Sequence, residues 1–344
     1  MTHFAGLDIS LRSVNVCVID DQGDLVAEGR CDAEAAELVA FFDELDLDIA
    51  KVGLEAGMLA QYLTYGLQFA GHDVHCMESR QVKAALSAMR NKTDKHDARG
   101  IAQLLRSGWY SRVHIKSVES HHVRALLSCR KAVLGKCIDL EQEIRGLFKV
   151  FGVKLPSKLG HGAFDTHVRP LIEADEVLSQ SLLPVLDVRL ELYRTYRELD
   201  NRTRHLAEQD PVCQRFMTAP GVGFVTALTY KSGVDDPMRF KRSRTVGAHF
   251  GLTSRRHQSG EVDFDGHISR CGDAAVRTAL YTAANALLTR SSKWSSLKAW
   301  GMKVAKKRGH KKAVIAVARK LAVILHRIWI DDTQFRWGTE VARS

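Results

Sequence analysis

In Arg90-Asn91-Lys92-Thr93-Asp94-Lys95-His96-Asp97-Ala98-Arg99, two carboxylates stand three residues apart, where a polar, cap-like segment gives way to the apolar-periodic run Ile101, Leu104, Leu105. The pattern predicts a helix start with Thr93 or Asp94 at the cap and both Asp94 and Asp97 in the first turn, on one face. Two carboxylates so placed can hold a hard divalent cation. Arg90, Lys92, Lys95 and Arg99 around them would draw in a polyanion. Capping chemistry alone also puts aspartates in first turns, because the helix dipole favours negative charge there.

Upstream, Phe4-Ala5-Gly6-Leu7-Asp8-Ile9-Ser10 is a short apolar run with Asp8 set into it, followed by Val14 to Ile19. Asp20-Asp21-Gln22-Gly23 makes a turn, and Leu25 to Arg30 reads as a third strand. Ala33 to Leu45 has helical spacing. Ile49 to Glu55 returns as a strand ending on an acid, Gln61 to Ala70 reads as helix, Val74 to Met77 as strand and Gln81 to Met89 as helix. An antiparallel meander followed by alternating strands and helices predicts an α/β layer structure. Asp8 and Glu55 interrupt or end apolar strands, where a carboxylate is costly unless it is exposed, paired or bound to metal.

Gly6-Leu7-Asp8, Leu54-Glu55-Ala56 and Asn91-Lys92-Thr93-Asp94-x-x-Asp97-Ala98 resemble the DEDD transposases of bacterial insertion-sequence family 110 and the related Piv-type invertases, and more broadly the ribonuclease-H fold of RuvC-type resolvases. The resemblance implies that Asp8, Glu55, Asp94 and Asp97 bind two Mg²⁺ ions that act on a scissile phosphodiester. The physics agrees, since paired Mg²⁺ ions need several oxygen ligands and can stabilise the attacking and leaving oxygens of a phosphoryl transfer.

Beyond Val123 the pattern changes to long helices. Val123, Leu126, Arg130, Val133, Cys137, Leu140, Ile144 and Leu147 form one heptad seam; Val185, Arg189, Leu192, Tyr196, Leu199, Thr203 and Leu206 form another, entered just after Pro184. Phe151 to Pro170, rich in Gly, Pro, Lys and His, reads as a loop. The seams suit an intramolecular helical hairpin or a coiled coil between protomers. The family resemblance implies association into a homo-dimer or tetramer.

Thr218-Ala219-Pro220-Gly221-Val222-Gly223 then reads as a turn entering a helix. It is similar to a helix-hairpin-helix element, in which Gly221 and Gly223 would lie against a nucleic-acid phosphate; a plain interhelix turn has the same residues. Phe250-Gly251-Leu252-Thr253-Ser254-Arg255-Arg256-His257-Gln258-Ser259-Gly260 is the last block, with Asp265-Gly266 as the expected hairpin turn. Ser259-Gly260 by itself is turn chemistry. In the resembling family the serine of this step is the nucleophile that joins covalently to DNA. No hydrolase-type base accompanies it, so its activation would fall to the metal site and to Arg255 or Arg256 neutralising phosphate charge. A lone loop histidine is usually solvated, and His257 is assigned no role. Ser259 lies far along the chain from the acids, so the two parts are expected to meet over the scissile phosphate, within one chain or across protomers.

The 344 residues carry 50 Lys+Arg against 40 Asp+Glu, unevenly spread. Residues 1–90 have 6 Lys+Arg and 15 Asp+Glu, whereas residues 230–344 have 23 against 9, a net of +14 that includes Lys306, Lys307, Arg308, Lys311 and Lys312. An acidic front and basic back point to a polyanionic partner gripped by the second part, although a merely soluble basic surface has the same composition. The seven cysteines have no C-x-x-C spacing and fit a reducing compartment. The most apolar stretch, Ala313 to Ile330, is interrupted by Arg319, Lys320, His326 and Arg327, which excludes it as a membrane span.

These readings predict a RuvC-like α/β metal domain over residues 1–112, a helical, coiled-coil-like connector over 113–212, and a mainly α, basic C-terminal domain over 213–344. The implied activity is cleavage and rejoining of donor and target DNA by a cytoplasmic, nucleoid-associated bacterial recombinase, guided by an RNA that the element encodes. Two other classes fit the same residues. A RuvC-like nuclease would need the acids but not Ser259, and a nucleic-acid-binding scaffold would use the acids structurally. An actin-like ATPase also opens with a Gly-x-Asp strand, but a clear second phosphate loop is missing.

Overall fold

A computed structural model describes residues 2–87, 93–260 and 262–337. Met89, Arg90, Asn91 and Lys92 of the opening segments lie outside the described residues. Contacts divide the chain into two compact units, Met1–Lys116 and Ser117–Ser344.

The first unit is built on five strands, β1 (His3–Ile9), β2 (Ser13–Ile19), β3 (Leu25–Asp32), β4 (Ile49–Glu55) and β5 (Val74–Met77). Their order is β3-β2-β1-β4-β5. The β1–β2 and β2–β3 pairs are antiparallel, and β1–β4 and β4–β5 are parallel. Strand alternation assigns the two faces. Ala5, Leu7, Val14, Val16, Val18, Val52 and Leu54 pack together with Leu38 of α1 (Ala35–Leu45) and Leu63 and Leu67 of α2 (Ala60–Phe69). The opposite face takes α3 (Ser79–Leu86) and α4 (Asp94–Ser107), where Cys17 and Ile19 meet Ala98 and Ala102 while Met77 meets Ile101, Leu104 and Leu105. A mixed sheet with this order and helices on both faces is consistent with an RNase-H-like fold.

The second unit is mostly helical. Its longest helices, α5 (Val118–Val150) and α7 (Glu176–Gln209), pair antiparallel within the chain, so the two heptad seams face each other. Their contact line holds Cys137, Glu141, Ile144 and Phe148 against Leu182, Leu186 and Arg189, and Leu147 is turned outward. Arg189, fully buried, donates from Nε to Glu141 Oε1 at 2.9 Å, and the Arg130 guanidinium grips Asp200 further along. Two expectations change here. The second seam helix starts at Glu176 under an Asp175 cap, and Pro184 lies inside it, exposed, where the missing backbone donor faces solvent. Part of the expected loop over 151–170 is α6 (Phe164–Glu173), because Phe164, Val168 and Ile172 recur at helical spacing and bury against Ile144 and Phe148.

The remainder packs α8 (Pro211–Met217), α9 (Phe224–Val234), the short α10 (Val246–His249), α11 (Ala274–Thr289), α12 (Ser296–Arg308) and α13 (His310–Ile330) around one core, with β6 (Ser254–Ser259) and β7 (Val262–Ile268) standing out as a two-stranded ribbon. Tyr230 anchors this core, its hydroxyl donating to the Ala322 carbonyl at 2.6 Å and its ring edge-on to Phe216. No helix among the described residues is long and apolar enough to cross a membrane.

Candidate active site and nucleic-acid interface

Asp8 and Glu55 share a face and an end of the sheet. Gly6 and Gly53 both face α4, so Asp8 and Glu55, two residues further along parallel neighbours, face the same way. Helix α4 runs antiparallel to β1: Ala98 and Ala102 lie over Gly6, while Gln103 donates to the carbonyl of Gly23, in the turn beside the start of β1. Thr93 caps the helix through its hydroxyl, 3.3 Å from the His96 amide. Stepping back from Ala98 by one turn, about 5.4 Å, reaches Asp94, and stepping from Gly6 to Asp8 advances about 6.6 Å the same way. All four acids therefore belong to one end of one face, with Asp94 exposed and the other three half-buried. The donor set is all carboxylate oxygen, which suits a hard divalent cation. The side chains are not drawn into coordination: among the described residues, no three His, Cys, Asp or Glu converge closely enough to hold a metal ion.

Asp8 and Glu55 also line an open cleft of about 300 Å³ with Ser10, Leu11, Gly57 and Met58. Leu11 is 71% and Met58 91% exposed, leaving apolar side chains at its rim. Asn15 is an addition that sequence reading passes over. It pairs in register with Asp8 on the α4 face and is buried. Its signal in the sequence is faint, a single amide in an apolar strand, and only the antiparallel register sets it beside the acid.

In the second unit the Pro220-Gly221-Val222-Gly223 turn joins α8 to α9 as expected. The two glycines differ, however. A side chain at Gly221, whose φ is +82°, would put Cβ 2.2 Å from the Ala283 carbonyl oxygen, so this glycine admits the backbone of α11. Around Gly223, which caps α9, there is open space.

Ser259 ends β6, and the chain reverses between it and Val262 with Gly260 at φ +57°. The turn is thus not at Asp265-Gly266, which lies inside β7: the left-handed residue the reversal needs is supplied by Gly260. Cross-strand pairing puts Ser259 opposite Val262 and His257 opposite Phe264 on one face, with Arg256 opposite Asp265 and Gln258 opposite Asp263 on the other. Arg256 therefore points away from Ser259, and its Nε donates to Asp263 at 2.8 Å. This pairing holds the Asp263 carboxyl below its usual range. Arg255 donates to the Ser269 carbonyl. The base of the ribbon is tied down by Arg277, which donates to the carbonyls of Phe250 and Cys271, and by Asp273, which caps α11 and pairs with Arg124. Lys306, Lys307 and Arg308 end α12 and Lys311 and Lys312 open α13, all exposed around a joint at Gly309 with φ +83°.

A ribonuclease-H-like sheet with Asp8 and Glu55 at one end, Asp94 and Asp97 in the first turn of the helix packed on it, and a basic helical unit after it have the arrangement of a DEDD-type protein. Residues 5–152 match the DEDD transposase family of the IS110 type, and residues 213–299 match the family described as "Transposase IS116/IS110/IS902 family". The chain belongs to this IS110/IS116/IS902 family of transposases, enzymes of DNA transposition whose catalysis is metal-dependent. It is 29% identical to the transposase for insertion sequence element IS1111A of Coxiella burnetii, over 97% of this chain and 91% of that protein. It is 26% identical to "Probable family 20 transposase" of Pseudomonas aeruginosa, over 97% and 98%. With the transposase for insertion sequence element IS1328 of Yersinia enterocolitica it shares 26% identity over 82% and 84%.

Proposed function

We propose that this transposase cleaves and rejoins DNA through a covalent link to Ser259, with Asp8, Glu55, Asp94 and Asp97 as the ligands of two Mg²⁺ ions in a RuvC-like domain. The observation that carries the reading is the placement of all four acids at one end of one sheet face, within the span matched by the DEDD family. Bound there, divalent cations would supply positive charge to the phosphoryl oxygens in the transition state. The chain's own part is to hold the carboxylates on a rigid strand pair and a capped helix. The Ser259 Oγ gives up its proton and bonds to the scissile phosphorus, and the sugar oxygen opposite it leaves and takes up a proton. The reverse exchange, onto a new strand end, rejoins the DNA. Ser259 suits the role by its place at the tip of an exposed ribbon.

The turn at Gly223, Arg255 and the lysines of α12 and α13 would contact phosphates, a sequence-independent grip. Sequence choice by an element-encoded guide RNA and assembly into homo-oligomers are part of the same proposal, and both rest on the family resemblance.

The test is a denaturing gel of labelled element-end DNA incubated with Mg²⁺. Wild type should give a protein-linked strand. Ser259→Ala should give none, and Asp97→Asn should neither cleave nor link while still retaining DNA. If Ser259→Ala cleaves at the wild-type rate, water is the nucleophile and the chain works as a hydrolytic nuclease.

A further inference from the structure

The ribbon β6–β7 displays an aromatic pair on the Ser259 face that no packing requirement explains. The His257 and Phe264 rings stack at 5.1 Å between centroids and 22° between planes. Phe264 is 55% exposed and its neighbour Val262 57% exposed, and neither belongs to any of the buried cores. Every residue of β6 is exposed. A side chain at Gly266 would bring its Cβ to 3.4 Å from the His257 ring, so this glycine leaves the space beside the imidazole unfilled. Stacking across the strands adds at most about 1 kcal/mol to the ribbon, and it leaves the outer ring surface of Phe264 in water, available to a flat ligand.

We propose that His257 and Phe264 form a stacking platform for an unpaired DNA base, next to the phosphate that Ser259 would attack. Three features favour a nucleobase over a protein partner. Flat aromatic faces accept any base without sequence preference. The ribbon rises from a positively charged segment, with eight Lys+Arg against four Asp+Glu over residues 239–277, suited to a polyanionic backbone. On the opposite face Arg256, its one described cation, is already held by Asp263, so the aromatic face is the better placed for a ligand. The base must be unpaired because a duplex buries its base faces in the stack. Only the location of the platform beside the scissile phosphate rests on the Ser259 reading; the binding itself does not.

The experiment uses the full chain and three labelled probes of one mixed sequence, about 20 nucleotides long to cover the site sizes usual for single-strand binders: single-stranded DNA, duplex DNA and RNA. Phe264→Ala and His257→Ala should each weaken single-strand DNA binding roughly ten-fold, with duplex binding within about two-fold of wild type. Phe264→Trp should restore the affinity, and its added fluorescence should be quenched by the single strand. Phe69→Ala, altering a ring that is 97% exposed in the other unit, should change nothing. Ser259→Ala should bind like wild type. If Ser259→Ala also retains the covalent link, the nucleophile assignment falls while the platform stands. The platform is overturned if Phe264→Ala binds single-stranded DNA normally, if it loses duplex and single strand alike, if the loss is confined to RNA, or if the substitution instead dissociates a self-associated form.

Discussion

At Gly6 a hydrogen in place of a side chain lets helix α4 lie directly on strand β1. A Cβ there would sit 2.2 Å from the Ala98 carbonyl oxygen and 2.4 Å from the Ala102 amide nitrogen, and backbone atoms cannot rotate aside as a flexible side chain could. The same contact fixes how far Asp94 and Asp97 stand from the sheet that carries Asp8 and Glu55. Gly6→Ala should therefore push the helix outward, lowering stability by about 1–3 kcal/mol and removing Mg²⁺-dependent cleavage. Urea denaturation and the cleavage gel measure the two effects, and DNA retention should be preserved. An unchanged unfolding midpoint would mean that α4 is not seated on Gly6.

Among the elements, α13 shows how burial makes a helix sensitive to pH. His326, fully buried on it, places Nε2 2.9 Å from the Pro237 carbonyl and Nδ1 3.0 Å from the Ser243 hydroxyl. A neutral ring satisfies both, donating to the carbonyl from Nε2 and accepting from the hydroxyl at Nδ1. Burial pushes its pKa below the ordinary 6.5; the Pro237 carbonyl and Asp331 oppose this and Arg239 adds to it. Because the folded value is depressed, the unfolded chain takes up the proton first as pH falls. The contribution of His326 is present above about 6.5 and is lost progressively below it, at up to about 1.4 kcal/mol per pH unit until the folded value is reached. Urea midpoints compared at pH 7.5 and in steps below 6.5 should show this extra acid sensitivity in wild type and its absence in His326→Gln. Parallel pH profiles would refute a neutral buried imidazole.

For the molecule as a whole, charge separates the two units: Asp8, Glu55, Asp94 and Asp97 sit in the acidic one and most of the cations in the other. The net +14 over residues 230–344 predicts binding dominated by phosphate contacts, and hence a steep loss of affinity with salt. Replacing Lys306, Lys307, Lys311 and Lys312 with Gln should weaken DNA binding and flatten the plot of log affinity against log salt by about 0.9 for each contact removed. The loss should be similar for unrelated duplex sequences, because phosphate contacts carry no base information. A variant with the wild-type slope would place the DNA on another surface.

Local patterns determined much of this protein. Period-two and period-3.6 hydrophobicity delimited the strands and helices of the first unit within a few residues, Thr93 was legible as a cap with Asp94 and Asp97 in the turn after it, and Asp8 and Glu55 were legible as misplaced charges in apolar strands. These signals are local because backbone geometry repeats over a few residues. Tertiary structure decided what local pattern cannot contain. It paired the heptad seams with each other inside one chain, because a heptad specifies a partner surface and not whose it is. It formed α6 where Gly, Pro and His composition suggested a loop, since three apolar side chains had a core to enter. It moved the hairpin turn to Gly260 and so set His257 beside Phe264 and Ser259 beside Val262. A shift of strand register by one residue exchanges the faces, and only the paired strand, not the sequence beside it, can set that register.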